Sequence, residues 1–464
     1  MIIPQTRLFL WVAVVVLPFA MVAAAVPEAA VLAGLLIAAV VALGSLDAAL
    51  SLNRLDGVSV EFPRVTRLAK NRLGAIQLQI RNERQQAQRL RLGLPLPRPL
   101  HSPEEEVRTE LPAGAEWSRL AWPCTPLQRG RYLIESCCLE TASSWGLWAV
   151  RVRKPARGEI RVYPNLLTER KSVAALFLNR SGLGVHAQRQ VGKGRDFEKL
   201  REYIPGDSYD EIHWKATAKR GRPVTKVFQI ERTQELYVIL DASRLSARTT
   251  ESRAPRVQGQ APDSGGLPST LDLRPSTSVL ERFVTAALVL GLAAEQQGDL
   301  FGLLTFGDRV QNFVRARNGK AHYSACRDAL YTLQPQIVTP DFDELGSFIR
   351  LRLRRRALLV FLTSLDDPLL AQSFVRNMDL ICRQHLILVN MLQPPGVRPL
   401  FSQANVTTLD EVYRQLGGHV LWQKLRELEK VLQRRGVHFA LLDNEKLSAQ
   451  LVTQYLNVKQ RQML

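Results

Sequence analysis

Arg201 to Gly221 reads REYIPGDSYDEIHWKATAKRG, the densest polar stretch in the chain. It sets Asp207, Asp210, Glu211 and His213 in one short run, closed by Trp214 and Lys215. Carboxylates and an imidazole this close can serve as general acid and base, or as metal ligands. The spacing matches no known catalytic arrangement. HExxH and GxSxG are absent, and VGKGR (191–195) lacks the spacing and the Ser or Thr of a phosphate-binding loop. PGD is a turn signal, and EIHWKATAK is a short amphipathic piece. The stretch therefore reads as a folded collar, with Trp214 and Tyr203 packed against the domain that follows. Asp207, Asp210, Glu211, His213, Trp214 and Lys215 form a partner-binding set, and their charges pair with neighbours or with a partner. No catalytic residue is assigned.

The elements around this stretch bound what it can do. The chain has 464 residues, with 62 Lys and Arg against 43 Asp and Glu, a net +19. Such an excess suits nucleic acid or the anionic face of a membrane. The basic residues are scattered and no recognition motif appears, so no nucleic-acid partner is expected. Cys124, Cys137, Cys138, Cys326 and Cys382 are odd in number and show no CxxC spacing, which fits a reducing compartment. Leu8 to Ala25 and Ala29 to Leu46 carry no charge, and each is about the length of a membrane-crossing helix. Residues 1–52 therefore read as a transmembrane helical hairpin. A cleaved signal peptide is the competing reading of the first run, but VPEAA is too short to hold a mature start before the second. Arg7 precedes the pair, and Arg54, Arg64, Arg67, Lys70 and Arg72 follow it, with only Glu28 charged between them. Positive residues stay inside, so both termini and all soluble domains face the cytoplasm.

From 56 to 165 the hydropathy alternates with period two, as in AIQLQIRN and RLRLGLPLP, broken by turn residues. This pattern predicts a β-sandwich. Residues 166–233 are a basic, partly helical connector followed by the collar. From 234 to 464 continuous apolar runs such as ELYVILDAS alternate with helical stretches such as VLERFVTAALVLGLAAEQQ. That order predicts an α/β domain with a mostly parallel sheet. Within it, residues 244–278 are rich in Ser, Pro, Gly and Arg and read as a long mobile loop.

The strand ending in DASRLS resembles the start of a von Willebrand factor A-like, Rossmann-type domain. That resemblance implies a divalent-metal site built on D-x-S-x-S, a later Thr and a later Asp. Here Asp241 and Ser243 hold the first two positions, Leu245 takes the third, and Ser246 falls one residue late. Thr339 is the later threonine, and Ser364 stands where the Asp is implied, with Asp366 and Asp367 beyond. The set is a degenerate magnesium site, short of a hydroxyl and a carboxylate; no cofactor is expected otherwise. GKGRDFEKLREYIPGDSYDEIHWKATAKRGRPVTKVFQIER, with VILDAS and GDLFGLLTFGDRV after it, resembles the bacterial family called domain of unknown function 58. Where that family has Arg and Asp, this chain has Asp210 and His213. The resemblance implies a bacterial inner-membrane protein and a MoxR-type AAA+ ATPase as partner, with the client unspecified. On this basis the chain is expected to be a non-enzymatic, membrane-anchored adaptor or scaffold in the assembly or maturation of protein complexes. A metal-dependent hydrolase using Asp241 with the collar acids, and a basic nucleic-acid-binding protein, are the alternatives.

Overall fold

The computed structural model of the chain describes residues 1–25, 30–167, 169, 191–204, 209–229, 234–250, 277–400, 402 and 408–461. Glu28, the connector 170–190, Asp207 and the insertion residues 251–276 lie outside the described residues. The chain divides into two compact units, Met1–Asn165 and Leu166–Leu464.

The first unit opens on a strand, Ile2–Pro4, followed by a continuous helical path. Thr6–Trp11 passes through a π-helical turn, Val12–Val16, into Leu17–Ala25. Pro18 accounts for the turn. It has no N–H to offer Val14, and its ring crowds that carbonyl, so the local ladder widens. The second helix, Ala30–Ser51, has 22 residues and mostly exposed apolar side chains. Among the described residues it alone is long and apolar enough to cross a membrane; the first run yields the shorter apolar helix Thr6–Val22.

The rest of this unit is a sandwich. One sheet runs Ile2–Pro4, Trp148–Tyr163, Gly130–Ala142, Gln88–Gly93, Glu106–Leu111, with Val65–Ala69 parallel to Trp148–Tyr163. The other runs Val58–Glu61, Gly74–Asn82, Trp117–Pro126, Leu100–His101. The period-two pattern is obeyed: Gly74–Asn82 buries Ile76, Leu78 and Ile80 and exposes Gln77 and Gln79. These side chains meet Leu92, Trp122 and Leu139 in one core. The Trp122 indole N–H is satisfied by the Ser102 hydroxyl at 3.0 Å. Ile2–Pro4 pairs antiparallel with Trp148–Val150, a strand the sequence pattern did not announce.

In the second unit the collar begins as a β-hairpin. Val191–Glu202 pairs antiparallel with Val224–Gln229, and a short helix, Trp214–Arg220, lies between them. Sequence reasoning missed the hairpin. The α/β sheet then has six strands in the order Val310–Arg317, Leu300–Phe306, Glu235–Asp241, Leu358–Leu362, Leu386–Leu392, Val437–Leu442. All are parallel except Val310–Arg317, which sits antiparallel at one edge. Val279–Gln296 and Leu447–Gln460 cover one face; Phe342–Arg352, Pro368–Ile381 and Leu409–Arg434 cover the other. A strand buried on both faces has no polar side to display, which is why Leu236 to Leu240 is continuously apolar.

The presumed loop 244–278 is ordered at its base. Arg244–Ala247 forms a 3-10 turn, and Thr249–Thr250 pairs with Thr277–Ser278. Ser243 caps the turn and Ser278 caps the helix Val279–Gln296, so both ends of the insertion are held by hydroxyls.

Candidate functional site

The α/β chain enters the sheet at its centre, lays two strands on one side, then crosses to the other. The crevice at such a reversal lies beyond the carboxyl ends of the two strands that flank it, here Glu235–Asp241 and Leu358–Leu362. Asp241 ends the first, and Thr363 directly follows the second. Both are fully buried.

Both carboxylate oxygens of Asp241 have a partner. Ser243 N–H donates to Oδ1 at 2.8 Å, and the Thr363 hydroxyl donates to Oδ2 at 2.6 Å. The neighbouring hydroxyls are also engaged. Ser243 Oγ accepts from Leu245 N–H at 3.3 Å, and Ser246 Oγ donates to the Ser243 carbonyl at 2.9 Å. Residues 336–338 are laced to the same loop through Gln336 N–H to Ala242 O and Arg244 N–H to Val338 O. Thr339, one residue on, is exposed. Asp366 bonds the Arg248 guanidinium. Burial pushes the Asp241 carboxyl above its ordinary range, against the pull of its bonds to Ser243 and Thr363.

The structure thus brings Asp241, Ser243 and Ser246 together and adds Thr363, which the sequence reading did not single out. The signal was present in VFLTS, a hydroxyl at the end of a buried strand. As a cation site this set fits poorly. A magnesium ion needs ionised, accessible oxygens, whereas Asp241 is desolvated with both oxygens occupied, and the nearby Asp366 already holds a cation. No group of three or more His, Cys, Asp or Glu suited to a metal occurs among the described residues.

The collar is arranged differently from its sequence expectation. Trp214 is 69% exposed, so it is not a packing anchor. It is the first residue of a seven-residue helix whose first turn is fixed by its neighbour: His213 Nδ1 accepts from Ala216 N–H at 3.0 Å. His213 is therefore a helix cap. Gly221 closes the helix in the left-handed region, φ 66°. Ile204 and Tyr209 are also exposed, at 54% and 75%, and Tyr203 stacks on Tyr209 with ring centroids 6.1 Å apart. Ile212 instead turns inward, bridging to Thr225. Asp210 and Lys215 are exposed and form no ion pair with another described residue. Glu211 lies in the 3-10 turn Tyr209–Glu211, with its side chain outside the described residues. No hydrogen bond among the described residues links Asp210 to Asp241.

The chain is thus a two-unit, β-rich protein: an apolar N-terminal helical pair with a β-sandwich, and an α/β sheet with a sealed carboxylate at its reversal point. The family model described as "Protein of unknown function DUF58" matches residues 199–257 and 275–398, which span the collar and most of the sheet. Over those residues, which are less than half of the chain, it is similar to that family. No curated protein matches the chain. Among solved structures it is similar to an aerotolerance-related membrane protein from Bacteroides fragilis NCTC 9343 with multiple mutations to serines. The identity there is 13% over 48% of this chain and 98% of that one, with a TM-score of 0.27. It is also similar to proximal thread matrix protein 1 from the mussel byssus, at 11% identity over 49% of this chain and 45% of that one, TM-score 0.24. A third is the CARDB domain of a Pyrococcus furiosus protein in complex with di-metal ions, at 15% identity over 23% and 91%, TM-score 0.16. Likenesses this distant carry no argument about this chain.

Proposed function

We propose that the chain is a membrane-anchored adaptor that acts by binding, and that its partner is an AAA+ ATPase of the MoxR type. The observation that carries this reading is the collar surface, where Ile204, Tyr209 and Trp214 stand exposed within one motif. Large apolar side chains held in solvent at a folded site mark interaction surfaces. Asp210 and Lys215 beside them provide charges free to select a partner. In this reading the α/β unit is a von Willebrand A-like domain whose metal site has closed into a structural hydrogen-bond cluster, and the ATPase supplies the energy. The hairpin lies in the bacterial inner membrane with both termini cytoplasmic. Basic flanks on both sides of the apolar pair support that orientation. So does the start of the chain, which pairs with the same sandwich that follows the second helix.

The test is capture of a purified MoxR-type ATPase by the detergent-solubilised full chain at low and high salt. Tyr209→Ala and Trp214→Ala are each expected to weaken capture at least about tenfold, as for interface anchors. Undiminished capture by the double variant would defeat the collar reading. Turnover of nucleotides, phosphoesters or peptides by the chain alone, abolished by Asp241→Ala, would replace it with the hydrolase.

A further inference from the structure

The turn between the Gly130–Ala142 and Trp148–Tyr163 strands is bonded to both ends of the apolar hairpin. From the second helix, Gly44 O accepts the Trp148 indole N–H at 2.8 Å. The buried Asp47 accepts Trp145 N–H at 3.3 Å through Oδ1. Just beyond that helix, Arg54 donates to the Ala142 carbonyl at 2.8 Å. From the first helix's side, Gln5 N–H donates to Leu147 O at 2.9 Å, and Ile2–Pro4 pairs with Trp148–Val150. Arg7 lies against Gly146, so close that a β-carbon there would sit 3.1 Å from its guanidinium.

These contacts fix the turn's depth. From Ala30 to Asp47 the helix rises about 26 Å, against a hydrocarbon core of about 30 Å. If the helix crosses, Gly44 and Asp47 reach the boundary on the sandwich's side, and the turn bonded to them lies at that level. Trp145 sits there 47% exposed, its ring not covered by its own sandwich. An indole with an apolar body and a polar N–H is at home among headgroups, between hydrocarbon and water. Arg7 and Arg54 add cations at the same level, where lipid phosphates stand.

We propose that Trp145 and its turn dock in the phospholipid headgroup zone and seat the sandwich against the bilayer in one orientation. The hairpin then acts as a rigid mount as well as an anchor. The inference rests on the membrane-spanning reading of the hairpin.

The full chain is reconstituted in phosphatidylcholine–phosphatidylglycerol vesicles, with lipids brominated either near the headgroup or near the chain end. Wild type is compared with Trp145→Phe, so that the difference reports one ring among seven tryptophans. Trp145 is half exposed, so the substitution leaves the fold intact. The difference signal is expected to be quenched more by shallow than by deep bromines and to be shielded from aqueous iodide. Trp148→Phe, which removes the bond to Gly44, is expected to raise iodide access to Trp145. A difference signal open to iodide and untouched by either bromolipid would overturn the proposal while vesicle flotation still upheld the spanning hairpin. Quenching by the deep bromines alone would overturn it too, by placing the ring in the core. Failure of wild type to float with the vesicles would overturn the membrane reading and this proposal together.

Discussion

The Thr363 hydroxyl donates to Asp241 Oδ2 at 2.6 Å, joining the ends of two adjacent parallel strands across 122 positions of sequence. This bond and the one from Ser243 N–H use both oxygens of a carboxyl group that is wholly buried. Thr363→Val removes a donor and leaves one oxygen unsatisfied, at an expected cost of about 1–3 kcal/mol in urea unfolding of the full chain. Asp241→Asn keeps an acceptor for Ser243 and an amide for Thr363 while removing the buried charge. Because burial raises the folded pKa of Asp241, its contribution is complete below the ordinary carboxylate range and is lost as pH rises through the raised value. The stability of Asp241→Asn relative to wild type should therefore increase with pH above about 4. A marked stabilisation of wild type by magnesium, absent in Asp241→Asn, would refute the closed-site reading.

His385 precedes the Leu386–Leu392 strand and is 4% exposed, and burial holds its pKa below the usual imidazole value. The folded state therefore keeps it neutral while the unfolded chain takes up a proton. Stability should fall as pH drops below about 6.5, with a limiting slope of about 1.4 kcal/mol per pH unit. His385→Gln removes that contribution. An identical pH slope for variant and wild type between pH 7 and about 5 would count against it.

Asp299 anchors the last helix to the sheet. Its Oδ2 accepts from the Tyr455 hydroxyl and from Lys459 Nζ at 2.9 Å, and its Oδ1 accepts Gln234 N–H at 3.2 Å. Tyr455→Phe should cost about 1–2 kcal/mol, since Lys459 remains. Asp299→Ala should cost more, because it strands a buried phenol and a largely buried ammonium together. Equal melting midpoints for the two variants would show that the cluster is not cooperative.

In the collar, the order of effects runs opposite to what side-chain size alone would indicate. His213→Ala removes the cap on Trp214–Arg220, at about 1 kcal/mol. Trp214→Ala removes an exposed ring, within about 0.5 kcal/mol. Chemical denaturation of both variants decides it: a larger loss for Trp214→Ala would mean that the ring is buried in solution.

Periodicity alone determined much of this protein. The alternation of Gly74–Asn82, the unbroken apolar run at Leu236–Leu240 and the 3.6-residue pattern of Val279–Gln296 are each local statements about which faces will be covered. They made the sandwich and the α/β sheet legible, and the family resemblance was carried by one continuous motif around the collar. Pro18 was equally visible and stands just after the π-helical turn in the first apolar run.

What only the tertiary structure decided depends on partners distant in sequence. Ile2–Pro4 is too short to show a pattern and becomes a strand because Trp148–Val150 offers it an edge. Thr363 matters because Asp241 ends the adjoining strand. Trp214 looked like a core anchor because large aromatics usually are; its side is set by where a seven-residue helix is capped and by Ile212 turning inward against Thr225. Local sequence encodes how much apolar surface an element must hide, since that is a property of its own side chains. Which neighbour hides it, and which polar atom finds its hydrogen-bond partner, is settled only when remote strands and helices come into contact.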